Sequence, residues 1–193
     1  MYDMYKRAIA RIDSAEYMIS KALENDRCKD IAAFDIQQAI EFLCIQICRY
    51  KNENSDNTHD IRHHTNRVMN LGDKSKAILQ VSEIADKVYG WEVNSRYSEE
   101  FTVQIEDLQI ALIAAKELAN HVNHTYVSKT RVRAYTKLME ISSKYDISIE
   151  DLSRLYQYIK CGVVVNHTSK VLIDYAINNI DDLLTTLKDS DLI

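Results

Sequence analysis

The chain has 193 residues, 46% hydrophobic and 27% charged, with a formal charge of −5, the profile of an ordinary folded globular protein. It holds three glycines and no proline, which excludes folds built on tight hairpins and leaves helices joined by short polar connections. Residues 1–125 carry 15 Lys/Arg against 20 Asp/Glu, and residues 126–193 carry nine of each, so neither part has the basic excess that drives nonspecific binding to duplex nucleic acid.

The length is enough to bury a core in one domain, or in one domain with an appendage. No continuous apolar run approaches the length of a membrane span. The first residues carry acids and no apolar stretch of the kind a secretory signal needs. Four scattered cysteines (Cys28, Cys44, Cys48, Cys161) do not make a disulfide framework. The expectation is a cytoplasmic protein with reduced thiols and no membrane association.

Tyr5, Ala8, Ile12, Ala15, Ile19 and Ala22 are spaced 3-4-3-4-3 and predict a first helix over about 2–24. Asp26 is placed to cap a second, over about 27–50. Its apolar stripe is Ile36, Ile40, Leu43, Ile47 and Tyr50, widened by Phe34 and Cys44. Polar residues 51–57 read as a loop, Thr58 as the N-cap of a third helix over about 59–71, and Gly72 as its left-handed terminator. A fourth helix over about 74–89 is closed by Gly90, and Trp91 to Ser98 read as a loop. The fifth has the most regular stripe, Phe101, Ile105, Leu108, Leu112, Ala115, Ala119 and Val122, a seam suited to antiparallel packing or to self-association.

Beyond Tyr126 the pattern predicts helices over about 128–145, 148–160 and 168–188, the middle one capped by Ser148. Cys161 to Val165 is the one β-like run. Val-Asn-His-Thr occurs at 122–125 and 165–168, with Thr read as a cap in both places. The fold expected is all-α, an up-and-down antiparallel bundle over 1–125 with a three-helix C-terminal extension over 126–193.

Ala32-Ala33-Phe34, Gln37-Gln38-Ala39 and Glu41, then Thr58-His59-Asp60-Ile61, then Arg96-Tyr97 and the helix from Phe101, together resemble the HEPN domain family over about 1–125. The resemblance implies a helical bundle, often dimeric, associated with nucleotides or RNA and often working beside a nucleotidyltransferase. Many members are toxins or defence ribonucleases of toxin–antitoxin type. In those members the closing helix carries Arg, four to six residues, then His. Arg there stabilises a phosphorane-like transition state and His serves as general acid or base. No Arg in this chain is followed by His at that spacing. The expectation is therefore a non-catalytic binding or assembly protein, a homodimer without cofactor. The alternatives are a ribonuclease with relocated residues, using His59 with Arg49 or Arg96, and a purely structural helical module.

Other patterns compete with bland readings. Cys44-x3-Cys48 and His59-x3-His63 have zinc-like spacing, but both cysteines border an apolar stripe, where Cys behaves as a small hydrophobe, so no metal is expected. His59, His63 and His64 beside Arg62 and Arg67 read either as a phosphate-reading surface or as a solvated helix start. Gln37 and Glu41 read as register-fixing hydrogen bonds inside the bundle. Arg96 and Tyr97 could pair and stack with a nucleotide, or tie their loop to the bundle. The candidate ligand-binding residues are His59, Arg96, Tyr97 and Arg49. A helix-turn-helix reading of 147–173 is disfavoured by Asp174, Asp181 and Asp182.

Overall fold

A computed structural model of the chain describes residues 3–54, 58–97, 103–146, 148–152, 154 and 179–190, with the side chains of 92–97, 130, 180, 181 and 188 outside that description. Among the described residues every regular element is a helix, as expected. The chain divides into two compact units, Tyr2–Val127 and Ser128–Ile193.

In the first unit, α1 (Asp3–Lys21) and α2 (Arg27–Tyr50) are joined by a five-residue turn, short enough to make them antiparallel neighbours. The predicted stripe of α1 faces inward: Ala8, Ile12, Ala15 and Ala22 are buried, and Tyr5 and Ile19 pack at the core's edge. The small side chains at 8 and 15 let α2 approach closely. Asp26 does not cap α2. Its carboxylate pairs with Lys29 (2.8 Å), and the Asn25 carboxamide oxygen instead accepts from the Arg27 amide (3.0 Å).

α2 is buried on most of its circumference because α1, α3, α4 and α5 all pack against it. Ile36, Ile40, Leu43, Cys44 and Ile47 lie fully inside. Phe34 does not widen the stripe as expected; it is exposed beneath the Arg11 guanidinium, 5.6 Å from its ring centre. By length and hydropathy α2 could cross a membrane, contrary to the sequence expectation, but most of its apolar window is buried inside the bundle. Such burial is the normal state of a core helix.

α3 (Ile61–Asn70) begins later than predicted. Asp60, not Thr58, is the cap: its carboxylate accepts from the Arg62 amide at 2.9 Å, while the Thr58 hydroxyl accepts from the Asp60 amide at 3.1 Å. Gly72 ends the helix at φ +90°, a conformation that costs a side-chain-bearing residue energy. α4 (Lys76–Tyr97) runs straight through Gly90, and residues 91–97 are helical rather than a loop. Val88 and Trp91 are buried on either side of the glycine. Fixing them in the core outweighs the roughly 1 kcal/mol that a mid-helix glycine costs.

α5 (Ile105–Val122) starts four residues after the predicted Phe101, which lies outside the described residues. Its seam of Leu108, Leu112, Ala115, Ala119 and Val122 is buried against α1, α2 and α4. That seam is therefore consumed within the bundle and does not offer a surface for self-association. A π-helical turn, Asn123–Val127, follows.

In the second unit, α6 (Ser128–Tyr145) matches its predicted span and packs against α7 (Ile180–Asp189), with the Lys137 ammonium held by Asp182. Ser148 caps a helical turn at 149–152, its hydroxyl accepting from the Asp151 amide at 3.0 Å. The predicted spans 155–160 and 168–178, the run Cys161–Val165 and the second Val-Asn-His-Thr lie outside the described residues.

Asp35, 1% exposed, locks α1 to α2 by accepting from the Arg11 guanidinium and the Ser14 hydroxyl, both at 2.6 Å. Replacing it with Ala strands both donors. Asp35→Ala is expected to lower stability by about 2 kcal/mol in urea unfolding, whereas Ser14→Ala costs about 1 kcal/mol or less.

Candidate functional site

Two polar centres are built into the first unit. The first lies where the middle of α2 meets the segment before α3. Burial of α2 leaves Gln37 and Glu41 inside the bundle, so their polar atoms need protein partners. The Gln37 side-chain amide donates to the His59 carbonyl at 3.3 Å. The Glu41 carboxylate accepts from the Gln38 side-chain amide at 3.1 Å and from His59 Nδ1 at 3.0 Å through the same oxygen. One turn into α3, the buried His64 donates through Nε2 to the Thr58 carbonyl at 2.7 Å. The backbone of 58–60 is thus held from both sides and presents His59.

Glu41 is 8% exposed at its side chain and His59 64%. The pair therefore joins a buried carboxylate to a surface imidazole. A carboxylate only accepts, so the bond fixes the proton on Nδ1. Such an imidazole is held in one orientation at the surface.

The neighbouring cations are already engaged. Arg62 makes two bonds to the Asp60 carboxylate, at 2.9 and 2.7 Å, and lies 3.9 Å from the centre of the Tyr89 ring. The Arg62 hydrogen bond holds the Asp60 carboxyl below the usual carboxylate range. Arg67 reaches Glu53 at 3.6 Å. His63 is exposed, whereas His64 is a core residue and not part of a solvated helix start.

Of the sequence candidates whose side chains are described, His59 is held by a buried carboxylate. Arg49 is exposed on the last turn of α2, eight residues beyond Glu41 and so about 12 Å further along the helix axis. Arg96 and Tyr97 sit in the last turn of α4, in helix rather than loop, and their side chains are outside those described. Cys44 and Cys48 are buried among apolar side chains, and burial pushes the Cys44 thiol well above its ordinary range, away from the thiolate a metal needs. Among the described residues no three His, Cys, Asp or Glu side chains converge in a metal-holding group.

The second centre was not read from the sequence. Asp73, just after Gly72, is buried and gathers three donors. The Tyr126 hydroxyl (2.6 Å) and His121 Nε2 (2.7 Å) reach one carboxylate oxygen, and the Ser75 amide (3.1 Å) reaches the other. Burial alone would raise its pKa; the bonds from Tyr126, His121 and Ser75 bring it below the usual carboxylate value. Burial and the bond to Asp73 push the Tyr126 phenol well up. His121 Nδ1 accepts from the Thr125 hydroxyl at 3.3 Å, so Thr125 belongs to this network and is not a helix cap. The Tyr50 ring meets Tyr126 edge-on, 4.8 Å between centres.

The π turn brings these groups together. On an ideal α-helix, positions five apart point about 140° from each other. A turn with i to i+5 spacing puts His121 and Tyr126 on one side, and both reach Asp73. The one available signal was the acid directly after a helix-ending glycine, which is also an ordinary loop composition.

Tyr126→Phe is expected to cost about 1 kcal/mol, since Asp73 keeps its other donors. For Asp73→Asn the expected signature is a pH dependence. A carboxyl depressed in the folded state stabilises above its unfolded pKa, and that contribution disappears as pH falls through the folded value. The stability gap between wild type and Asp73→Asn is therefore full at neutral pH and closes below about pH 4. A gap independent of pH in chemical unfolding would show that Asp73 does not carry its charge in the folded state.

No curated protein and no solved structure matches the chain. The family model of the HEPN domain matches residues 1–125. With about two-thirds of its length matched, and an all-helical bundle over the same residues, the chain belongs to the HEPN domain family.

Proposed function

We propose that this HEPN-family protein binds a nucleotide or RNA ligand at the His59 surface without cleaving it, and serves as a cytoplasmic assembly component beside a nucleotidyltransferase. What chiefly supports the non-catalytic reading is the closing helix. α5 lacks the Arg-to-His spacing of the family's ribonucleases. Its single histidine, His121, has both ring nitrogens engaged, by Asp73 and by Thr125. Such an imidazole holds the bundle together instead of exchanging protons with a substrate. His59, by contrast, is exposed and oriented by Glu41, and the family's association with nucleotides and RNA gives the ligand class.

A second reading is favoured by the same pair. An imidazole oriented by a buried carboxylate has the form of a general base, so His59 could serve a ribonuclease whose residues have moved from the closing helix. Incubation of the purified full chain with tRNA and mRNA separates the two. The binding reading expects intact RNA. Cleavage that disappears in His59→Ala would replace it with the enzymatic reading.

A thermal-shift screen against nucleotides supplies the positive test. A ligand held at 100-fold its Kd stabilises the fold by about 2.7 kcal/mol. His59→Ala is expected to abolish that shift and to lower the unliganded stability by about 1 kcal/mol, because the buried Glu41 loses one of its two donors. A nucleotide shift of equal size in His59→Ala would place the ligand elsewhere.

A further inference from the structure

We propose that the open face of α6 is a docking groove for an acidic amphipathic helix of a partner protein. The groove lies wholly within the second unit, so it stands independently of the ligand reading at His59.

α6 is apolar on two sides. Ala134, Leu138 and Ile141 are buried within its own unit. Val132, Tyr135 and Met139, spaced i, i+3, i+7, form a second ridge that is 41–66% exposed. Lys129, Arg133, Glu140 and Lys144 are exposed on a separate row, within about 60° of one another around the axis. Thr136 and Ser143, also exposed and seven positions apart, lie between the ridge and that row. Their side chains are short, so the surface is a shallow trough with an apolar wall and a largely basic wall. Concavities between Val132 and Lys129, and between Met139 and Lys144, follow its course.

Charge selects the occupant. α6 carries five Lys/Arg against one acid, in a chain of net charge −5. Asp182 holds Lys137, but among the described residues no carboxylate pairs with Lys129, Arg133 or Lys144. α7 shows what kind of helix α6 accepts. It packs against α6 with Leu183 and Leu187 buried and with Asp182 on the Lys137 ammonium. A leucine stripe edged by an acid therefore already fits one side of this helix. The open side offers the same chemistry again, an apolar ridge beside basic side chains. The ridge from Val132 to Met139 is about 10 Å long, two turns of a partner helix. Such a helix would set apolar side chains on Val132 and Met139 and carboxylates toward Arg133 and Lys144. A nucleic acid fits less well, because Val132 and Met139 cannot stack with bases and Glu140 stands among the basic side chains.

The test is fluorescence anisotropy with the full chain at low salt and two labelled probes. Both are amphipathic helical peptides as long as α6 with one leucine stripe, edged by glutamate in the first and by lysine in the second. The glutamate peptide is expected to bind about tenfold or more tightly than the lysine peptide, and to weaken as salt is raised. R133E/K144E should reverse that preference. V132S/M139S should weaken the glutamate peptide by about tenfold. E140K should strengthen it, since the one acid in the basic row is gone. Circular dichroism checks that each variant is folded; should the double variants not be, E140K decides. No binding of the glutamate peptide, equal binding of both peptides, or binding indifferent to R133E/K144E would overturn the proposal. So would single-stranded RNA that binds in place of the peptide and is lost in R133E/K144E, which assigns the face to nucleic acid. Self-association that V132S/M139S abolishes would likewise overturn it and give the ridge to a second copy.

Discussion

Everything in the first unit follows from the burial of α2. A helix surrounded by four others has no solvated face on which to place polar side chains, so each polar group within it needs a partner from a neighbouring element. Asp35 takes its partners from α1 and fixes the register of that pair. Gln37 and Glu41 take theirs from the segment before α3 and fix where that segment lies. Hydrophobic packing is non-directional and would tolerate a slip of a helix by one turn. The buried carboxylates would not, because a slip leaves them unpaired at a cost of several kcal/mol. Specific geometry in this bundle therefore comes from few polar contacts set into a large apolar surface.

The same constraint explains why the family marker residues form a polar centre. Gln37, Glu41 and His59 have a structural duty, and that duty leaves an imidazole at the surface in a fixed orientation. Asp73 does the corresponding work at the other polar centre. It binds the turn after α3 to the end of α5 through His121 and Tyr126. One histidine is thereby tied to the end of α5, and the other is held at the surface by Glu41.

Helical periodicity made α1, α2 and α6 legible, with ends close to those predicted, because their inward faces repeat without interruption. Punctuation was less trustworthy. Gly72 follows the end of its helix at φ +90° and turns the chain so that Asp73 enters the core. Gly90 does not end its helix, because Val88 and Trp91 are both needed in the core. Thr58 and Asp60 each have a side chain able to cap, and only the hydrogen bond from the Arg62 amide decides between them. His59 could be singled out from sequence, but its partner Glu41 lies 18 positions away and the pairing rests on how α2 and α3 pack. The Asp73 centre was hidden for a different reason: a 3.6-residue period separates His121 from Tyr126, and only a π turn brings them together.

The position of α5 has a consequence for how the protein is made. This helix closes against α1, α2 and α4, and Lys116 reaches back 100 positions to Glu16. During vectorial synthesis the first four helices leave the ribosome before the helix that closes them exists. Until roughly residue 122 has emerged, the nascent chain holds an open apolar trough, the kind of surface that recruits chaperones or other unfinished chains. A transcript broken before α5 would accordingly yield an aggregating fragment instead of a smaller bundle. Completion of one late helix is the step that turns this chain from a liability into a domain.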